Sequence, residues 1–213
     1  MIEEEIISRD SKGEDESELQ DEPNELEYLV SRIKRKDNLV VSYQGMIESG
    51  EFSSPHSMHL LYNIVSGEHW KVMEGQTTGI SQHALQDSQQ AIWNFPFEVT
   101  YESKQPLGWP QMVIVVYGKD MWGRSIVKGY ANCVLPVAPG LQVRKVPVFA
   151  TIPPSTAANC CAWLRGHIHD LREPERVLLG DEGGRECLKT KSIGFVTIKT
   201  HVRRYNFEKH GLD

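Results

Sequence analysis

Phe95-Pro96-Phe97-Glu98-Val99-Thr100-Tyr101 places a large apolar group at every second position. That period belongs to a β-strand with one buried face, so Phe95, Phe97, Val99 and Tyr101 are expected in the core, and Trp93 with them. Glu98, Thr100 and Glu102 then face outward. Pro96 has no amide proton to donate to a ladder, which places the run at a sheet edge or a bulge. Short runs rich in Val, Ile, Tyr and Phe, separated by Gly, Pro, Asn and Ser, continue on both sides of this stretch beyond Asp37. Such punctuation signals an all-β sandwich or barrel.

Strands are expected over 39–47, 58–65, 92–102, 112–118, 126–135, 141–148 and 193–205, with weaker ones near Trp70 and Val177. Met112-Val113-Ile114-Val115-Val116-Tyr117 does not alternate and reads as a central strand covered on both faces. It is also the longest apolar run, at six residues, against the ~20 a membrane-crossing helix needs. One short crossover helix is expected over 155–166, where Ser155 or Thr156 can cap, Ala157, Cys160, Cys161 and Leu164 share a face, and Gly166 ends the turn. Gly108 and Gly123 suit turns that need positive φ, and Pro139-Gly140 suits a β-turn.

Charge divides the chain. Residues 1–27 hold twelve Asp and Glu against Arg9 and Lys12, so the net charge of −6 hides a folded part that is mildly basic. So many like charges with few large apolar groups cannot offset the entropy of ordering, and 1–36 is expected to be an acidic tail. Within it Leu26, Leu29, Val30 and Ile33 lie on one helical face, predicting a short amphipathic helix near 24–36. Asn24 and Glu27 cap its start, and Arg32, Lys34, Arg35 and Lys36 lie at its negative end. The sandwich is expected over 37–207, followed by a C-terminal tail over 208–213. Four Cys in 213 residues and a start without a basic-apolar leader predict an intracellular, soluble chain. No clustered basic stripe marks nucleic-acid binding.

Candidates for chemistry are few. Gly180-Asp181-Glu182-Gly183-Gly184 carries two carboxylates that repel phosphate, so it reads as a turn rather than a nucleotide loop. Cys160, Cys161, His167 and His169 match none of the common zinc spacings, and buried thiols are the default reading. Cys160 or Cys161 with His167 and Asp170 supplies the letters of a thiol enzyme without its local signature. The later aspartates Asp37, Asp87, Asp120, Asp170, Asp181 and Asp213 are scattered, unlike a calcium loop. Catalytic, cofactor and metal sites are therefore not expected. Trp109 and Trp122 sit in predicted turns at opposite ends of one strand, where aromatics anchor interfaces, and with Arg124 they are the candidate partner contacts.

Trp93-Asn94-Phe95-Pro96, Gly108-Trp109-Pro110 and Tyr117-Gly118-Lys119-Asp120 come in a recognisable order. Gly123-Arg124, Gly129-Tyr130, Pro136, Pro139-Gly140 and Pro147 follow, and Gly184-Arg185-Glu186 precedes Ile193-Gly194-Phe195-Val196. Over about 39–205 this series resembles the B9 domain family of ciliary transition-zone proteins. The resemblance implies a C2-like antiparallel β-sandwich without catalysis or cofactor, acting in the Meckel-syndrome module at the ciliary base. It implies assembly with two other B9 domain paralogues and with tectonic-type membrane proteins, gating entry to the cilium. The acidic extension and the 24–36 helix depart from the family pattern. An alternative is a lipid-binding C2 module, making peripheral membrane contact through Arg144, Lys145, Arg203 and Arg204; a cysteine-dependent enzyme is the alternative of another class.

Overall fold

The computed structural model describes residues 38–53, 57–85, 90–119, 122–152, 171, 173–179 and 189–212. Within them lie β1 (Leu39–Phe52), β2 (Ser57–Val65), β3 (Trp70–Gly75), β4 (Thr78–Ile80), β5 (Ala84–Leu85), β6 (Gln90–Ser103) and β7 (Gln111–Lys119). β8 (Ser125–Val134), β9 (Gly140–Thr151), a helix α1 (Pro174–Leu179) and β10 (Thr190–Tyr205) complete the order. The acidic tail over 1–36, its helix near 24–36 and the helix expected over 155–166 lie outside the described residues. So do Cys160, Cys161, His167, His169, the 180–184 glycine turn and all six scattered aspartates.

The strands run in the order β3-β6-β1-β10-β9-β8-β7-β2-β4, with β5 also on β2. One pair, Tyr130 opposite Phe149, joins β8 to β9. Either side of this single pair the ladders are long and antiparallel, so the path divides into a β3-β6-β1-β10-β9 half and a β8-β7-β2-β4 half. Leu39, Tyr43 and Ile47 of β1 share one core with Leu60 and Tyr62 of β2 and with Ile114 and Ala131. Only two halves folded face to face bring those residues together. The result is a C2-like antiparallel β-sandwich.

The deciding stretch forms the middle of β6. Trp93, Phe97, Val99 and Tyr101 are buried and Phe95 packs against them, while Glu98 is exposed. Pro96 pairs with Met46 of β1, and β3 reaches β6 only from Val99 to Ser103. Pro96 thus has a ladder on one side, which leaves its missing amide without cost. The β1 register also slips between Ile47 and Ser49 beside it, and Asn94 adopts φ 45° there.

β7 is buried on both faces. Met112, Ile114 and Val116 join the main core, and Val113 and Val115 pack with Val127, Tyr130 and Leu178. This second cluster corrects the strand expected near Val177, which lies instead in α1. Pro174 starts the helix, where its missing N–H costs nothing, and Leu178 is buried against β7 and β8. An apolar pair such as Leu178-Leu179 suits either period, and the need to cover the outer face of β7 selects the helix. After β10, Phe207 is buried, residues Glu208–His210 make a 3-10 turn, and Leu212 packs back on the core.

Candidate functional site

At one end of β7, Gly108-Trp109-Pro110 closes the sandwich. Gly108 has φ 70°, and a β-carbon on it would lie 2.7 Å from the Gly67 Cα. The absence of side chains lets the two loops meet, and the Gly67 N–H donates to the Gly108 carbonyl at 2.8 Å. The Trp70 indole N–H then donates to the Leu107 carbonyl and that of Trp109 to the Leu135 carbonyl, both at 2.9 Å. Trp109 stacks edge-on against Trp70 at 5.0 Å and Phe207 at 6.2 Å. Trp109 is therefore a half-buried cap whose polar handle is satisfied inside the fold.

Trp122 and Arg124 occupy the turn at the opposite end of β7, on either side of Gly123 at φ 76°. Trp122 is 68% exposed. The structure therefore brings Trp122 and Arg124 together and keeps Trp109 apart from them. The basic pairs are divided more sharply, because neighbouring residues of a strand point to opposite faces. Arg144 turns toward β8 and donates to the Val134 carbonyl at 2.8 Å, whereas Lys145 pairs with Glu51 at 2.7 Å and lies over the Phe195 ring. Arg204 lies over the Phe207 ring at 5.2 Å, and Arg203 is exposed on the other side of β10.

The outer face of the β3-β6-β1-β10-β9 half carries a group of exposed apolar residues that sequence reasoning missed. In register across it, Val143 of β9 opposes Lys199, Lys199 opposes Met46, and Met46 opposes Pro96. Leu141 lies one row along, opposite His201, and Phe195 opposes Pro147. Leu141 is 67% exposed, Val143 57% and Ile92 58%. One signal was available: in Leu141-Gln142-Val143-Arg144-Lys145-Val146-Pro147-Val148 the apolar residues change parity between Val143 and Val146. A strand with one buried face can hide only one of those pairs, and Val146 and Val148 take the core. Lys199 adds an ion pair with Glu48 at 2.5 Å, beside the Lys145–Glu51 pair on the same face.

Titratable groups in the interior are few. Burial pushes the Tyr101 hydroxyl up to about 12. On β2, His59 stacks on Tyr117 at 5.1 Å and sits 4.3 Å from the His83 ring. Burial first, and the charge of His83 second, hold the His59 imidazole below its ordinary 6.5. Folding therefore disfavours protonation: the contribution is complete above pH 6.5 and is lost as pH falls from there toward the folded value. Melting temperature should drop between pH 7.5 and pH 5.5, and His59→Asn should flatten that drop; an unchanged pH profile in the variant would disprove the assignment. Among the described residues no three His, Cys, Asp or Glu are grouped to hold a metal ion.

The described strands thus form an antiparallel β-sandwich, one outer face of which carries exposed apolar residues. The family model described as "Ciliary basal body-associated, B9 protein" matches residues 41–203. The chain belongs to the B9 domain family. It is 37% identical over 172 residues to B9 domain-containing protein 1 of Mus musculus, covering 79% of this chain and 83% of that protein. With B9 domain-containing protein 1 of Xenopus laevis it shares 35% over 177 residues, 82% and 88% of the two chains. B9 domain-containing protein 2 of Xenopus laevis is 26% identical over 159 residues, 74% of this chain and 89% of that one.

Proposed function

We propose that this chain is a non-catalytic assembly subunit of the ciliary transition zone, joining its two B9 domain paralogues in a heteromer that also engages tectonic-type membrane proteins. In that role it helps gate entry of membrane proteins to the cilium. The observation that carries the reading is the outer face of the five-stranded half, where Leu141, Val143 and Ile92 are each more than half exposed. Apolar groups held in register on a rigid sheet, with the Lys145–Glu51 and Lys199–Glu48 pairs among them, suit a flat homologous surface better than a small substrate. Trp122 with Arg124 supplies a second contact from the β7–β8 turn, and Trp109 contributes only the part of its ring that remains outside. No described helix is long and apolar enough to cross a membrane.

Co-expression with the two paralogues tests this. Co-elution as one species at micromolar concentration is the expected result, and three separate monomer peaks would refute it. Leu141→Asp combined with Val143→Asp should weaken the assembly by about tenfold or more. Both side chains already face water, so the melting temperature of the isolated chain should stay close to that of the parent.

A further inference from the structure

We propose that the cleft between the two halves of the sandwich, where β1 and β10 meet β2 and β8, is a binding site for a phosphate group. A cavity of about 230 Å³ opens there, lined on its apolar part by Phe52, Met58 and Ile193. Lys128, Lys191, Ser53 and Ser192 complete the lining. Two lysines lining a cleft together with apolar side chains act through a lower dielectric than at an open surface, which favours a compact anion. The volume is below the usual 300–1,000 Å³ of small-molecule pockets, so it fits a headgroup-sized anion and not a whole nucleotide.

Two backbone irregularities converge on this cleft. The β7–β8 ladder slips at Val116/Tyr117, leaving Lys128 as the extra residue of a bulge. A bulge re-aims the side chain it carries, and here the stem of Lys128 lies across Gly118, where a β-carbon would be 2.9 Å from it. The β9–β10 ladder slips between Ser192 and Gly194, leaving Ile193 as the extra residue. Ile193 reaches Gly129, where a β-carbon would stand 2.7 Å from its Cδ1. Ser53 donates its N–H and its hydroxyl to the Ile193 carbonyl, at 3.2 and 3.3 Å. Glu51, on the strand below, is held on the outer face by Lys145.

The same phosphate chemistry is offered by a lipid headgroup and by free phosphate. Inorganic phosphate, compared with sodium chloride at equal ionic strength, should raise the melting temperature of the full chain in a saturable way. Lys191→Gln, and Lys128→Met, which keeps the apolar stem, should each weaken the apparent affinity about tenfold or more. Amide spectra of the unmodified protein give a check independent of variant folding, with shifts confined to residues around the cavity. Phosphatidylcholine vesicles containing phosphatidic acid or phosphatidylserine, at matched surface charge, distinguish the source. Preference for phosphatidic acid, lost in Lys191→Gln, assigns the lipid headgroup; a phosphate shift without vesicle preference assigns free phosphate. No phosphate-specific shift, or one equal in the parent and in a variant carrying both Lys128→Met and Lys191→Gln, would overturn the site.

Discussion

Trp93→Ala should remove about 3–5 kcal/mol of stability, the range for emptying a large aromatic from a core. Its ring is 2% exposed, packs edge-on against Phe52 at 6.2 Å and donates its indole N–H to the Met58 carbonyl at 3.2 Å. The substitution therefore opens a cavity and leaves a buried carbonyl without its donor. Against a typical domain stability of about 5–15 kcal/mol, the variant should melt far below the parent or fail to accumulate. Trp122→Ala provides the contrast. At 68% exposure its loss should change stability by no more than about 0.5 kcal/mol, while co-elution with the B9 paralogues declines. Parallel thermal melts and co-elution separate the two, and equal destabilisation would place Trp122 in the core.

Gly194→Ala should cost about 3 kcal/mol or more, an unusual penalty for one methyl group. A β-carbon at this position would sit 2.0 Å from the Glu51 carbonyl oxygen and 2.9 Å from the Phe52 ring. The first obstacle is backbone already paired in the β1–β10 ladder, so relief requires the strands to separate rather than a side chain to turn. Gly123→Ala offers the comparison: nothing lies within 4 Å of its β-carbon position, and its cost comes only from φ 76°. Denaturant melts of both should rank Gly194→Ala as the more damaging, and the reverse order would mean that the β1–β10 ladder yields easily there.

Much of the fold was readable along the chain because alternation is a local property. The period of Phe95 to Tyr101 and the unbroken run of Met112 to Tyr117 identified a one-sided and a two-sided strand, and both describe β6 and β7 as folded. The candidate site was read less completely. Its aromatic loops were visible as residue types, but whether a loop tryptophan turns in or out depends on what stands opposite. Trp109 meets Trp70, Phe207 and the Leu135 carbonyl, whereas most of the Trp122 surface stays exposed. The basic pairs illustrate the same limit, since adjacency in a strand separates Lys145 from Arg144 across the sheet.

Residue order thus carried the all-β class, most strand positions and the family series from Trp93 to Val196, because each depends on spacing within a few residues. The folded arrangement supplied the rest: the helix over Leu178, the solvent exposure of Leu141 and Val143, and the single cleft that Lys128 and Lys191 both line. Those depend on which strands become neighbours and where a ladder slips by one residue, and such long-range pairings leave no periodic mark in the chain.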